Sequence, residues 1–255
     1  MSPYDHKKLA GRIALITGAS RGLGRSMVLA LGEAGASLAL VSRNAESLKE
    51  VSEEARTLGA TSEAFQADVS KEEDVERLRE AVIGRFGEVN ILINNAGVNI
   101  RKPLTEFTTG EWKLVIDTNL TGPFLMCRAF VPHMKGRDYG RIINTTSTMS
   151  HVATKNRTAY AASKSGLLGF TKALALELAP EGITVNGISP GWFETELTKP
   201  IWSNPEANDN LVSRIPLGRW GDAKDVAKLA VYLCSEEAGY ITGTDILIDG
   251  GYVAQ

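Results

Sequence analysis

Short apolar runs alternate with amphipathic segments along all 255 residues, and this alternation constrains the fold more than any other feature. Runs such as "SLALVS" (37–42) and "RIALIT" (12–17) are apolar on both faces, which is typical of strands buried inside a parallel sheet. The segments between the runs carry apolar residues at helical spacing. No Pro-, Ser- or Gly-rich linker interrupts the pattern, so we predict a single domain over residues 1–255.

The order of these elements predicts an α/β fold. We place strands at 12–17, 37–42, 63–68, 90–94, 141–146, 183–189 and 245–249, and helices at about 22–34, 45–58, 71–86, 110–134, 157–179 and 222–235. Strand-helix alternation predicts a doubly wound, seven-stranded, mostly parallel sheet with helices on both faces and right-handed crossovers. Ligands of such sheets bind beyond the carboxyl ends of the strands.

Composition excludes several classes of function. A net charge of −2 and a pI near 6.0 give no basic footprint for nucleic acid or an anionic membrane. The first residues, "MSPYDHKKLAGR", contain no apolar signal region, and no run is long enough to span a bilayer. We therefore expect a soluble, cytoplasmic protein.

The cysteine and histidine residues give no pattern of a metal site. Cys127 and Cys234 are isolated inside apolar helical patterns, as expected of small core residues in a reducing compartment. His6, His133 and His151 are scattered and have no nearby cysteine or carboxylate cluster. The sequence predicts no bound metal.

A glycine-rich stretch, "TGASRGLG", follows the first apolar run. Gly18, Gly22 and Gly24 lie between a predicted buried strand and a helix that starts near Gly22. Glycine allows a sharp turn and a close approach of backbone to a phosphate, and a helix N-terminus offers free N–H groups. The spacing is Gly-x-x-x-Gly-x-Gly, and not the Gly-x-Gly-x-x-Gly fingerprint of many dinucleotide sites. A tight turn without a ligand is the alternative.

The stretch "YAASK" places Tyr160 and Lys164 four residues apart, so both lie on one helical face. A free tyrosine has a pKa near 10, which is too high for a base at neutral pH. A neighbouring ammonium favours the phenolate and lowers that pKa. The pair is therefore either ordinary packing or a proton donor with the group that tunes it.

Together, these motifs resemble the short-chain dehydrogenase/reductase family over about residues 9–252. Further segments that match in family order are "NNAG" (94–97), "DTNL" with Asn119, "NTTS" with Ser147, and "SPGWFET" (189–195). The resemblance implies a Rossmann fold with a cofactor-binding part over about 9–150 and a catalytic and substrate part over about 140–255. It also implies a catalytic set of Asn119, Ser147, Tyr160 and Lys164.

The resemblance assigns a role to each member of that set. Tyr160 is expected to be the acid/base, and Lys164 to tune it and hold ribose hydroxyls. Ser147 is expected to donate a hydrogen bond to the substrate oxygen as charge develops. Asn119, in the middle of a helix, is expected to hold a water that links Lys164 to solvent.

The resemblance also implies the cofactor contacts. The Asp68-Val69 pair is expected to meet adenine, "NNAG" to support the adenine-ribose side, and the segment with Thr195 to cover the nicotinamide. The predicted cofactor-binding residues are Gly18, Ser20, Arg21, Gly22, Leu23, Gly24, Ser42, Arg43, Asp68, Val69, Asn95, Ala96, Gly97, Tyr160, Lys164, Pro190, Gly191 and Thr195.

The end of the second strand bears on the choice of coenzyme. An NAD-specific site generally places an acid about 20 residues past the glycine loop, where it binds the ribose 2′-hydroxyl. Here that position reads "VSRN", with Ser42 and Arg43 and no acid. Arg21 could approach the same point, and two guanidiniums suit a 2′-phosphate. NADP(H) is favoured and NAD(H) remains possible, since both arginines could simply be solvated.

The substrate is less constrained. "NAGVNIRKP", "RIPLGRWG" (214–221) and "DGGYVAQ" are similar to the sugar-acid branch that includes gluconate 5-dehydrogenase. The candidate substrate residues are Ser147, His151, Tyr160, Arg101 and Trp192, with Arg101 as a bidentate partner for a carboxylate. For His151, a loop histidine without a substrate contact is the alternative. A lid is expected over about 190–213.

The main hypothesis is therefore an oxidoreductase acting on a sugar acid, polyol or oxo acid. The alternatives are a 3-oxoacyl-thioester reductase and a dinucleotide-binding regulatory protein without turnover; the intact catalytic set argues against the latter.

The family resemblance also implies a homotetramer. The helical patterns at 110–134 and 157–179 are apolar around much of their circumference ("GPFLMCRAFV", "GLLGFTKALALEL"), which exceeds a single buried stripe. Deep burial within one subunit is the alternative.

Overall fold

The computed structural model describes residues 7–255, so His6 lies outside the described part of the chain. Its sheet has seven strands in the order β3-β2-β1-β4-β5-β6-β7, and every neighbouring pair is parallel. The strands are β1 Ile13–Thr17, β2 Ser37–Ser42, β3 Ser62–Gln66, β4 Ile91–Asn94, β5 Gly140–Thr145, β6 Ile183–Pro190 and β7 Asp245–Ile248. The predicted doubly wound α/β fold is confirmed, and the sheet is parallel throughout.

Nine α-helices occur within residues 7–255. They are α1 Gly22–Glu33, α2 Ala45–Thr57, α3 Glu72–Phe86, α4 Thr109–Ile116, α5 Gly122–Phe130, α6 Thr158–Leu178, α7 Lys199–Trp202, α8 Pro205–Val212 and α9 Ala223–Cys234. Most predicted boundaries agree within one or two residues, and side-chain caps mark the starts of α2, α4 and α9. Asn44, for example, caps α2 by accepting from the Ser47 N–H at 3.1 Å.

One predicted helix differs from the structure. The pattern at 110–134 is divided into α4 and α5 by a π-helical turn, Asp117–Thr121. Its apolar residues continue at nearly helical spacing across the turn, so hydrophobic periodicity alone could not reveal the wider winding.

The core consists of two apolar layers, one on each face of the sheet. Side chains from the two faces of one strand, such as Ile91 and Leu92 of β4, belong to different layers and are fully buried. This double burial explains why the strand sequences are apolar on both faces and do not alternate.

A chain of buried polar groups fixes α6 against the sheet. The Asn94 amide donates to Asn144 Oδ1 at 2.8 Å, and the Asn144 amide donates to Thr171 Oγ1 at 2.9 Å. Thr171 in turn donates to the Leu167 carbonyl at 2.8 Å. Because α6 carries Tyr160 and Lys164, this chain ties those two residues to the carboxyl ends of β4 and β5.

Cys127 and Cys234 are buried and unpaired, and burial raises the pKa of each thiol to about 12. No helix within residues 7–255 is both long and apolar enough to cross a membrane.

Candidate active site

A cavity of about 970 Å³ opens along the carboxyl edge of the sheet. One end is bordered by the loop between β1 and α1, and the other by Tyr160, Trp192 and Arg101. The segment after β4 and the ends of β5 and β6 form its floor. This is the crevice in which parallel α/β sheets bind ligands.

The glycine loop leaves no room for side chains. A Cβ on Gly24 would lie 2.1 Å from the Gly18 carbonyl oxygen, and one on Gly18 would lie 2.9 Å from Ala96 Cα. Gly18 also has a φ of 63°, which disfavours other residues. The loop therefore packs directly against the "NNAG" segment.

Thr17 and Asn95 hold this junction. The Thr17 hydroxyl accepts from the Asn95 N–H at 2.9 Å and the Ala96 N–H at 3.0 Å. The Asn95 amide donates to the carbonyls of Thr17 and Gly18 at 3.1 and 3.2 Å. The glycine loop is thus fixed by the neighbouring strand before any ligand arrives.

Three polar residues border the glycine-loop end of the cavity: Arg21, Ser42 and Arg43. Both arginines are exposed, and within residues 7–255 neither has a carboxylate within ion-pair distance. Their guanidinium groups are available to an anion. Nearby, Asp68 accepts from the Ser70 hydroxyl at 2.7 Å, and Val69 is buried.

Asn119 lies in the π-helical turn, and not in a regular helix as expected. Its Oδ1 accepts from the Val98 N–H at 2.8 Å, and its amide donates to the Val98 carbonyl at 2.9 Å and to Ser163 Oγ at 3.0 Å. The side chain therefore links the segment after β4 to α6. Only the second lone pair of Oδ1 remains for a water.

Lys164 is buried beneath the cavity floor. Its ammonium donates to the Thr145 carbonyl at 2.5 Å, and a Cβ on Gly97 would lie 3.7 Å from its Nζ. Burial lowers the pKa of Lys164 to about 8, and the charge of Asp245 opposes this shift.

Two arginines, Arg157 and Arg101, lie near Tyr160 in addition to Lys164, the only cationic neighbour that the sequence predicted. Burial raises its pKa, while a hydrogen bond with Ser147 and the charges of Arg157 and Arg101 lower it, so that a net rise remains. The Lys164 Nζ lies 5.8 Å from the centre of the tyrosine ring. Arg157 and Arg101 are thus two further cations that favour the phenolate, and tuning of the phenol by Lys164 stays a prediction.

Ser147 lies two residues past the end of β5, within a buried stretch that continues to Met149. Its Oγ accepts from the Met149 N–H at 3.1 Å, so its single proton can serve either the Tyr160 oxygen or the oxygen of a ligand. The hydroxyl thus meets the conditions for a donor to a ligand oxygen at the end of β5.

His151 does not border the cavity, contrary to its prediction as a substrate contact. Its Nε2 lies 2.6 Å from the Asp245 carboxylate, which is 3% exposed. The same carboxylate accepts from Thr146 at 2.6 Å and Ser189 at 2.7 Å. His151 is therefore held by a buried acid at the start of β7 and is not among the residues that line the cavity.

Sequence reasoning missed two residues near the site, Asp245 and Arg157. Asp245 is the first residue of the run "DILID", and a polar residue at the start of a strand gives no sign of a functional role. Arg157 immediately precedes α6, three residues before Tyr160, and borders the cavity although it is only 8% exposed. The i, i+3 spacing to Tyr160 was the available signal.

All but two of the candidate residues within the described part of the chain border the cavity; the exceptions are Asn119 and His151. Those bordering it are Gly18, Ser20, Arg21, Gly22, Leu23, Gly24, Ser42, Arg43, Asp68, Val69, Asn95, Ala96, Gly97, Arg101, Ser147, Tyr160, Lys164, Pro190, Gly191, Trp192 and Thr195. Asn119 supports the wall without bordering it.

The predicted lid region contains α7 and α8. The Trp202 indole donates to the Thr195 carbonyl at 3.2 Å, and Thr198 donates to the Phe193 carbonyl at 2.6 Å. A Cβ on Gly22 would lie 3.4 Å from Thr195 Cγ2, so this region reaches the glycine loop across the cavity. Whether it moves stays a prediction.

Comparisons with known proteins agree with this geometry. Residues 18–253 match the family described as enoyl-(acyl carrier protein) reductase. The 3-oxoacyl-[acyl-carrier-protein] reductase FabG of Staphylococcus epidermidis is 38% identical over 239 residues, which cover 93% of this chain and 97% of the relative.

Two solved structures are also similar. A gluconate 5-dehydrogenase from Burkholderia cenocepacia, in complex with NADP and tartrate, has a TM-score of 0.94 at 34% identity and covers 98% of both chains. The RhlG/NADP active-site complex from Pseudomonas aeruginosa has a TM-score of 0.93 at 34% identity and covers 98% of this chain and 99% of RhlG.

The chain therefore belongs to the short-chain dehydrogenase/reductase family, whose members are oxidoreductases on a Rossmann fold.

The lowered pKa of Lys164 predicts a measurable pH dependence of stability. Between pH 7 and 9 the folded chain releases the Lys164 proton, whereas an unfolded lysine, with a pKa near 10.4, keeps it. The unfolded state then binds more protons, so stability rises with pH in this window. The free energy of unfolding, measured with urea, should rise by about 1 kcal/mol more in wild type than in Lys164→Met. The control is Lys172→Met, which removes an exposed lysine of the same helix and should leave the pH dependence of stability as in wild type. If both variants lose the pH dependence, it does not arise from Lys164.

Proposed function

We propose that this protein is an NADP(H)-dependent oxidoreductase that interconverts an alcohol and a carbonyl by hydride transfer. The observation that carries the proposal is that Ser147, Tyr160 and Lys164 border the same cavity as the glycine loop. A group that moves a proton therefore stands next to a cradle for a dinucleotide. The Burkholderia and Pseudomonas neighbours, each in complex with NADP, support this coenzyme.

The residues at the glycine-loop end fit a dinucleotide phosphate. Gly18, Gly22 and Gly24 border the cavity, and α1 begins at Gly22, so the unpaired N–H groups of its first turn lie at the cavity wall. Arg21, Ser42 and Arg43 would hold the 2′-phosphate, with Asp68 and Val69 beside the adenine. Pro190, Gly191 and Thr195 would cover the nicotinamide. When bound, the coenzyme supplies or accepts the hydride.

Tyr160 moves the accompanying proton. In reduction, its hydroxyl gives a proton to the oxygen that becomes the alcohol; in oxidation, its phenolate takes that proton back. Ser147 donates a hydrogen bond to the same oxygen and stabilises the charge that develops on it. The positive charges of Arg157 and Arg101 favour the phenolate that the oxidation direction needs.

Lys164 and Asn119 support this proton transfer. We assign Lys164, whose pKa of about 8 keeps it largely protonated at neutral pH, to the ribose hydroxyls. Asn119 positions the segment after β4 against α6 through its bonds to Val98 and Ser163, and its remaining lone pair is free for a water. A water there would connect Lys164 with solvent.

For the substrate we favour a sugar acid, polyol or oxo acid. The Burkholderia neighbour, a gluconate 5-dehydrogenase in complex with tartrate, supports this reading. A 3-oxoacyl-thioester reductase is the second candidate, because the FabG relative is 38% identical over nearly the whole chain. A panel of both substrate classes, followed at the nicotinamide absorbance with both coenzymes in both directions, separates these candidates. A protein that binds dinucleotide but turns over nothing in the panel would instead be a regulator.

Replacing the catalytic phenol tests the mechanism directly. Tyr160→Phe should abolish turnover but leave coenzyme binding nearly intact, because the ring still packs and only the transferable proton is lost. Lys164→Ala should impair both. Turnover and a fluorescence titration with NADPH measure the two effects, and the fully exposed Tyr240 offers a matched control in Tyr240→Phe. More than a small fraction of activity in Tyr160→Phe would show that the acid/base is another group.

The coenzyme preference rests on Arg43 and Ser42. Arg43→Ala should weaken NADPH binding about tenfold to a hundredfold, the value of one charge-assisted hydrogen bond, and scarcely change NADH. Ser42→Asp should invert the preference, because a carboxylate repels the phosphate and accepts from the 2′-hydroxyl of NADH. Apparent affinities for both coenzymes decide the matter. If Arg43→Ala lost affinity equally for NADPH and NADH, Arg43 would not contact the 2′-phosphate. Arg21 would then be the only residue left to support a preference for NADP.

We also propose a homotetramer. Trp112, Phe124 and Leu176 lie on α4, α5 and α6 and are 38%, 44% and 79% exposed, so these helices carry apolar surface outward. Light scattering should give a mass near four subunits, and Leu176→Asp should shift it downward. The control is Leu58→Asp, at an exposed residue after α2. A stable wild-type monomer at micromolar concentration would overturn the proposal.

A further inference from the structure

Arg157 stands out among the residues of the cavity wall. It is only 8% exposed, and within residues 7–255 its side chain makes no ion pair and donates no hydrogen bond. Its guanidinium lies 5.0 Å from the centre of the Trp192 ring, a cation–π contact. Arginine is almost always ionised and is rarely buried without an anionic partner.

The contact with Trp192 does not satisfy this charge. A cation over an aromatic face is attracted to the ring but gives none of the guanidinium N–H groups an acceptor. The guanidinium nitrogens of Arg157 are accessible from the cavity, so the N–H groups of this cation face ligand space and not the protein interior. Arg157 therefore presents N–H groups to the cavity for which the described residues offer no acceptor.

A second guanidinium is close by. Arg101, from the segment after β4, borders the same cavity, and its only side-chain hydrogen bond within residues 7–255 is a long one, 3.5 Å, to the Leu197 carbonyl. The charge of Arg101 lowers the pKa of Arg157, as expected of two cations that repel each other. Both also act on the Tyr160 phenol. An anion between them would relieve the repulsion.

We propose that Arg157 and Arg101 form an anion subsite beside Tyr160, and that the substrate is a compact hydroxy or oxo acid whose carboxylate binds there. This inference rests on the proposed oxidoreductase function and narrows it. Neutral polyols and the neutral thioester group of an acyl chain leave Arg157 without a partner, whereas a carboxylate accepts from a guanidinium in bidentate geometry. The 2′-phosphate of the coenzyme belongs to the opposite end of the cavity, at Arg21 and Arg43.

Direct binding tests the subsite without turnover. Titration calorimetry of the wild-type chain with saturating NADP should detect binding of tartrate but not of threitol, which has the same four carbons and hydroxyl groups in place of the carboxylates. Arg157→Gln should weaken tartrate binding about tenfold to a hundredfold. Arg157→Lys should retain part of it, because the charge remains without the bidentate geometry. The affinity for NADP should change in neither variant.

Arg214 provides a matched control. Its guanidinium also lies over an aromatic ring, 5.5 Å from the centre of Tyr252, but it is exposed and does not border the cavity. Arg214→Gln should bind tartrate as the wild type does. Turnover should also depend on the carboxylate, so the wild type should oxidise gluconate in preference to the neutral glucitol. Arg157→Gln should raise KM for gluconate more than it lowers kcat.

The outcomes separate this inference from the proposed function. Equal binding of tartrate and threitol to wild type, or equal tartrate affinity in Arg157→Gln and wild type, would overturn the anion subsite. Turnover of polyols or thioesters with equal or greater efficiency would also overturn it but leave the oxidoreductase intact. Tartrate binding without turnover of any alcohol or carbonyl would instead refute the proposed function. Should Arg157→Gln fail to fold, the wild-type comparison of tartrate with threitol still decides.

Discussion

The parallel direction of all seven strands is the constraint on which the rest of the structure depends. It places the carboxyl ends of β1, β4, β5 and β6 along one edge, where the backbone turns away and leaves a crevice. The candidate residues that border the cavity lie at or just beyond that edge, although they span residues 18–195 in the sequence. Parallel strands require crossover helices, so both faces of the sheet are covered and only the edge remains for a ligand.

Polar groups at this edge are stabilised to very different degrees. Asn94, Asn144 and Asn119 are buried and hydrogen-bonded, and they hold α6 and the segment after β4 in place. Lys164 and Arg157 are buried cations for which the fold offers only a carbonyl oxygen and an aromatic ring, respectively. The amide groups of the asparagines all donate to acceptors within the fold, whereas Arg157 has no hydrogen-bond acceptor among the described residues. This contrast distinguishes scaffold from site.

Most of the fold and much of the site could be predicted from the sequence. Apolar runs identified the strands because each is buried on both faces, and the glycine spacing identified the loop against which Ala96 packs. The π-helical turn at Asn119 escaped prediction because it preserves the apolar pattern of a helix. The pairing of His151 with Asp245 could not be foreseen either. It joins residues 94 positions apart, and nothing local in the sequence specifies such a contact.

The two pairs of arginines at the ends of the cavity differ in a way that bears on specificity. Arg21 and Arg43 are exposed, so water and salt screen their attraction for a phosphate, and discrimination there depends on several weak contacts. Arg157 is enclosed by Trp192 and the ends of the strands, where the effective dielectric constant is lower and the same charge acts more strongly. Of the four arginines, Arg157 is the only one that is not exposed, so water and salt screen its attraction for an anion least.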